Sequence, residues 1–407
     1  MSRRIVAGLL TFLMLISATA AIVDLSVGTV SADSSGDYTY LPINGGTAVE
    51  ITGYIGPAGA VTIPSSLNNS PVTSIGVNAF YHWGTITSIS IPNTVTNIAN
   101  DAFSICTGLQ SVSIPNSVIK MGNDVFYYCS SLTSVTFPDS IASIGNYTFY
   151  HCTSLSTVTL GNAVTSIGTG AFYGCSALTS INIPNSVTII GNGAFYDCHS
   201  LVSISIPGAV TIGDGLFQSC TALTTVTIGD SLTSIGTYMF YNTALTGFVI
   251  PASVTRIGDN AFYHCVHLTS IIVPDKVTFI GNGSFSYCVN LTSITLGKAV
   301  NGIGNYAFSH CYALTSITFT GKVAPAYVGA EWIYFTPENI TGHAYADSNF
   351  NTTTGATFND LPMVAMAGSA GGSGSGNDNM MLLVAIIAVV AILLLVGLFL
   401  LIKRKKA

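Results

Sequence analysis

Nine cysteines and seven histidines are the residues of this chain with the most chemistry to offer. The cysteines are Cys106, Cys129, Cys152, Cys175, Cys198, Cys220, Cys265, Cys288 and Cys311, most of them 23 residues apart. In an oxidising compartment such a set forms disulfides, and thiols beside imidazoles bind zinc. His151, His264 and His310 each directly precede a cysteine. Two features weigh against both chemistries. The count is odd, and each cysteine lies three residues after a phenylalanine, so all hold one place in a repeated unit. Residues at one place in stacked units form a ladder, here a column of small buried hydrophobes. Stacked coils are close enough for a disulfide, so pairing between neighbours stays open, although parallel Cβ vectors disfavour it. Neighbours along an extended segment face opposite ways, so a buried thiol and the imidazole before it do not share an ion. The histidines read as exposed turn residues. There is no Ser-His-Asp order, phosphate-binding glycine loop or dinucleotide fingerprint, and the acidic residues are scattered singly. The expectation is a protein with no catalytic, metal or cofactor-binding residues: not an enzyme.

Binding chemistry is better represented. A tyrosine follows the repeated phenylalanine at Tyr81, Tyr127, Tyr150, Tyr173, Tyr196, Tyr241 and Tyr263. Such a strip either stacks on sugar rings and anchors a partner, or only packs ring on ring for stability. Segments such as Thr133-Ser134, Thr179-Ser180 and Thr292-Ser293 would give a hydroxylated, uncharged face, which serves β-propensity alone or meets a polysaccharide. One unit breaks the pattern. Asn242 stands where a cysteine is expected, one residue is missing before Leu245, and Val249 and Ile272 replace the usual Ser or Thr. Two apolar residues side by side on a polar sheet make a candidate contact patch, or drift in a tolerant repeat. Asn-x-Ser/Thr triplets at Asn68, Asn146, Asn282, Asn290, Asn339 and Asn351 add possible glycosylation sites.

The element that must position these residues is set by phenylalanine. It recurs at 80, 103, 126, 149, 172, 195, 217, 240, 262, 285 and 308. A step of 22 or 23 residues is the period of a solenoid whose coils bury their apolar faces only against neighbours. Within a unit, Leu178-Thr179-Ser180-Ile181-Asn182-Ile183 reads as a short strand with its first, fourth and sixth side chains inward. Successive strands stack in parallel at about 4.8 Å. A proline ends the strand in eight units, as at Pro92 and Pro184, and suits that place because it stops ladder pairing. Val187 and Ile190 form a second apolar edge, and Gly191 permits a tight corner before the phenylalanine re-enters the core.

These residues resemble the BspA-type leucine-rich repeats of bacterial and protozoan surface proteins. The resemblance covers Tyr38 to about Thr320, and it rests on Ile-Pro, Ile-Gly and Ala-Phe recurring at fixed offsets. It implies a curved parallel-β solenoid with roles in adhesion and protein binding, and it carries no catalytic residues to transfer. A fold of this kind does not name its ligand.

The two ends address the protein. Arg3 and Arg4 precede an apolar run, and residues 1–32 read as a secretory signal peptide. Residues 33–60 form an N-terminal cap, 61–320 the solenoid of about 12 strands, 321–362 a C-terminal cap rich in aromatics, and 363–379 a Gly/Ser-rich linker. Residues 380–402 are uncharged and long enough for a single transmembrane helix, and the basic tail 403–407 marks the cytoplasmic side. Between Asp33 and Asn379 stand five Lys or Arg against sixteen Asp or Glu, a balance of −11 that argues against nucleic acid. The expectation is a membrane-anchored, extracellular adhesion module for a protein or polysaccharide ligand. The alternative is a structural coat component contacting copies of itself.

Overall fold

The computed structural model describes residues 32–366. The signal peptide apart from Ala32, the linker beyond Met366, the apolar segment 380–402 and the basic tail lie outside the described residues. The described chain divides into two compact units near Pro207, the second taking in Gly208–Val210 and everything from Asp214 onward. Each is a stack of coils of one design.

In the first unit a coil has three sides. Its front strands, Ile86–Ser90, Ser111–Ser113, Ser134–Thr136 and Thr157–Thr159, pair in parallel. Each step moves 23 residues in sequence, as in Ser134↔Ser111 and Ser134↔Thr157. Side chains alternate across the sheet: Ile89, Val135 and Val158 are buried, while the hydroxylated residues between them face solvent. After the proline, the chain turns into a two-residue second strand. Ser143–Ile144, Ser166–Ile167, Ile189–Ile190 and Thr211–Ile212 pair in parallel there.

The third side carries the phenylalanine and is a ribbon of overlapping turns. The Tyr81 N–H donates to Asn78 O at 3.0 Å within the coil, while the Phe80 N–H donates to Ala102 O of the next coil at 2.8 Å. The same pair of bonds recurs in later coils, so backbone groups not used locally are used between coils. This path needs left-handed residues two before and two after the phenylalanine, such as Asp101 (φ 56°) and Ile105 (φ 59°) around Phe103. The corner glycine serves a different purpose from the one expected. A Cβ on Gly145 would stand 2.2 Å from the Gly122 carbonyl oxygen, so it is close approach between coils that requires glycine there.

The core is a column of phenylalanine rings. In the first unit Phe103, Phe126, Phe149, Phe172 and Phe195 stack at 5.4–5.5 Å between centroids and within 10° of parallel. The second unit repeats this with Phe240, Phe262, Phe285 and Phe308 at 5.0–5.5 Å. Its front strands Ser270–Ile272, Ser293–Leu296 and Ser316–Phe319 are joined by Thr341–Tyr345 and Leu361–Met366, all parallel. Coil geometry therefore runs past Thr320, where the sequence period lapses. Trp332 takes the phenylalanine's place, and its carbonyl accepts the Phe308 N–H at 2.7 Å. At the other end, the cap is an antiparallel meander of Asp33–Ser35, Tyr38–Ile43 and Ala48–Tyr54, the last pairing in parallel with Ser70–Ile75.

Two parts of the expected fold are corrected. The described residues hold 29 strands rather than about 12, because most coils contribute a second short strand after the proline turn. The expected transmembrane helix is not part of this fold: among the described residues no helix is long and apolar enough to cross a membrane. The helical content among the described residues is a single 3-10 turn, Asn44–Gly46.

Candidate functional site

All nine cysteines are buried and none is in a disulfide. Each thiol with a described partner donates to the phenylalanine carbonyl of the preceding coil, as Cys106 Sγ to Phe80 O and Cys129 Sγ to Phe103 O, both at 3.1 Å. Burial pushes the Cys106 thiol up to about 12 and the Cys265 thiol up to about 11, because a thiolate in that column would be desolvated. Such thiols are poor nucleophiles. In the irregular coil it is Thr243, not Asn242, that occupies the cysteine's place. Its hydroxyl lies 3.0 Å from Phe240 O and 3.3 Å from Cys265 Sγ. Asn242 instead holds the left-handed position two after the phenylalanine (φ 54°), which His151, His264 and His310 also hold. These histidines sit on a turn, not on an extended segment. His264 meets Asn242 Oδ1 at 2.9 Å, and His310 stacks on Tyr287 at 4.2 Å. Among the described residues no group of three or more His, Cys, Asp or Glu could hold a metal ion.

The tyrosine strip lies along the ribbon side. In the first unit Tyr127, Tyr150, Tyr173 and Tyr196 stack face to face at 4.8, 4.7 and 4.4 Å. In the second, Tyr241 and Tyr263 stack at 5.1 Å. Tyr81 stands apart, because the next coil carries Ser104 in the tyrosine's position. A groove of about 490 Å³ opens there, lined by Tyr81, Asp101, Ser104, Asp124, Tyr127 and Tyr150 among others. Burial raises the carboxyl of Asp101 above its usual range, opposed by a hydrogen bond from Ser104. Burial and then the charge of Asp101 raise that of Asp124. The second unit has a smaller counterpart of about 270 Å³ where Ser286 and Ser309 interrupt the strip, lined by Asn260 and Gly283 at the places the two aspartates hold. Sequence reasoning treated the strip as seven equivalent tyrosines. The signal it missed was Ser104 between two aspartates at the positions two before Phe103 and Phe126.

Val249 and Ile272 are exposed, at 76% and 54%. Ile272 ends the strand Ser270–Ile272, whereas Val249 lies in a segment with no strand pairing. Of the possible glycosylation sites, Asn146 and Asn282 use their side-chain oxygens to accept the backbone N–H of Thr169 and Asn305, both at 2.9 Å.

A family model described as "BspA type Leucine rich repeat region (6 copies)" matches residues 73–201, 142–269 and 233–354. The structure of a leucine-rich repeat protein from Bacteroides ovatus is similar over 77% of this chain and 95% of its own, at 26% identity and a TM-score of 0.51. The leucine-rich repeat protein of T. pallidum is 31% identical over 47% of this chain and 91% of its own, with a TM-score of 0.44. A leucine-rich cell surface protein from Faecalibacterium prausnitzii covers 65% of this chain and 94% of its own at 26% identity, with a TM-score of 0.35. No curated protein matches the chain. With the family model spanning most of its length, the chain belongs to the BspA-type leucine-rich repeat family.

Proposed function

We propose that this protein is a binding module working outside the cell, with the tyrosine-bearing ribbon side of its coils as the contact surface. The observation that carries this is the stack of Tyr127, Tyr150, Tyr173 and Tyr196, rings held in register at 4.4–4.8 Å along one face. Rings fixed by stacking lose little freedom when a partner covers them, which is what a contact surface needs. The front sheet, by contrast, offers small hydroxyls without large anchors. The apolar N-terminal run supports export, and the family membership supports a binding role over catalysis. The exposed pair Val249 and Ile272 is a second, smaller contact on the second unit.

The test is binding of the full chain to purified matrix proteins and wall polysaccharides, compared with Tyr150→Ser/Tyr173→Ser. Saturable binding that falls about tenfold or more in the variant, with an unchanged melt, is the expected result. Binding that survives it but falls in Val249→Thr/Ile272→Thr moves the contact to the apolar pair. Self-association with no other ligand turns the protein into a coat component.

A further inference from the structure

We propose that the gap in the tyrosine strip at Ser104 receives an arginine side chain from an extended segment of a protein partner. This rests on the tyrosine-side reading above and names what one part of that surface takes. The gap is one coil thick. Tyr81 and Tyr127 are two coils apart, about 10 Å by strand spacing, and Ser104 stands between them without a ring. Elsewhere on this side consecutive tyrosines fill successive coils face to face, as Tyr127 and Tyr150 do at 4.8 Å. What is left is a groove lined by both rings, with the buried Ser104 at its base.

Its charge selects the group. Asp101 and Asp124 occupy the same position in adjacent coils, two before Phe103 and Phe126, and both line the groove with Tyr81 and Tyr127. No ion pair among the described residues involves either carboxylate. The groups facing them are each other, the phenols of Tyr81, Tyr127, Tyr147 and Tyr150, and the Ser104 hydroxyl. Guanidinium is planar, permanently charged, stacks on aromatic faces and donates in a fork that matches carboxylates. A lysine ammonium meets the charge but not the flatness, and a sugar meets the rings but leaves two adjacent carboxylates uncompensated. The second unit supplies an internal contrast. Its groove has the same location but is bordered by Asn260 and Gly283, so it has rings without the charge.

The experiment uses the full chain and three labelled pentapeptides, Gly-Ser-X-Ser-Gly, with arginine, lysine or citrulline at X. Citrulline keeps the plane and loses the charge. Arginine should bind at least about tenfold tighter than citrulline, and tighter than lysine. Asp101→Asn/Asp124→Asn should remove the preference. Asparagine already holds that left-handed position at Asn78 and Asn260, so the fold keeps its backbone. Ser104→Tyr should block the slot and continue the stack. Equal binding of arginine and citrulline, equal binding of lysine, or retained preference in the asparagine pair overturns the proposal. Free arginine binding as tightly as the peptide also overturns it, since the occupant would then be a small molecule. If surface binding depends on Tyr150 and Tyr173 while the peptides show no preference, the slot fails and the wider reading stands.

Discussion

The thiol of Cys129 donates to the carbonyl oxygen of Phe103 in the preceding coil at 3.1 Å, and the bond recurs up the column, as between Cys152 and Phe126. A residue that at first suggests redox or metal chemistry thus adds a bond between coils to a carbonyl that already accepts an N–H within its own coil, as Phe103 O does from the Cys106 N–H at 3.3 Å. Thr243, which holds the thiol's place in the irregular coil, turns its proton inward instead: its hydroxyl donates to Phe240 O of its own coil at 3.0 Å, a carbonyl that Cys265 Sγ also reaches at 3.0 Å. The place is defined by a small group with one proton to give.

That role sets an alkaline limit. Burial raises the thiols well above their ordinary value of 9.0, as at Cys106 and Cys311, both pushed up to about 12. The native state therefore holds them neutral after the unfolded chain has begun to ionise. This contribution is complete below about pH 9 and is lost as pH rises toward the folded value, at about 1.4 kcal/mol per thiol per pH unit. Urea midpoints should be nearly flat to about pH 8.5 and fall steeply above it. At pH 8 the native chain should resist alkylation, and denatured chain should yield nine thiols; fewer would mean disulfides.

The phenylalanine column predicts a local and large cost. Phe172 is fully buried between Phe149 and Phe195, with both ring centroids at 5.4 Å. Phe172→Ala should cost about 3–5 kcal/mol, since both neighbours lose a stacking face and the coil does not collapse into the space. A loss under 1 kcal/mol by urea unfolding would show that the stack is not what joins the coils.

The repeat was legible because burial imposes it: phenylalanine at eleven places, cysteine at nine and proline at eight keep fixed offsets and leave the period of a stacked solenoid. The two-residue second strand was less legible, since Ser143–Ile144 and Ser166–Ile167 offer only one inward side chain each. The turn ribbon was hidden for a different reason. Asp101, Gly170 and Gly193 carry the residue types that tolerate positive φ, but Ile105, Tyr128 and His151 adopt the same conformation without that signature. His151, His264 and His310 are turn residues, as the sequence suggests, but the turn is left-handed and not an extended segment. Ser104 was invisible as a site because its meaning is the ring it lacks.

Ile105 offers a direct check on the ribbon. A β-branched residue at φ 59° is strained, at a cost on the order of 1–3 kcal/mol. Asn242 and Gly174 hold the same place in other coils. Ile105→Asn should therefore stabilise the protein by about 1 kcal/mol, seen as a higher urea midpoint with an unchanged slope. Destabilisation by that amount would mean that the isoleucine side chain matters more to the groove floor than the backbone strain does.

The carboxylates beside it carry the last prediction. Burial lifts Asp101 and Asp124 above the usual carboxylate range, and the charge of Asp101 adds to the effect on Asp124. An acid whose folded pKa is raised takes up its proton more readily in the native state. Its contribution to stability is then fullest below the unfolded value of 3.8 and declines as pH rises through the folded one. At neutral pH both ionised groups weigh on the fold. Asp101→Asn/Asp124→Asn should raise the melting temperature at pH 7 by about 1–2 °C, and the gain should vanish below pH 3.5, where the parent carboxyls are protonated too. The same variant is expected to lose the arginine peptide. Stability and binding moving in opposite directions is what a charged site maintained for a ligand requires. If the asparagine pair melts lower at pH 7, the carboxylates are structural acceptors within the ribbon, and the groove is shaped for the coil rather than for a partner.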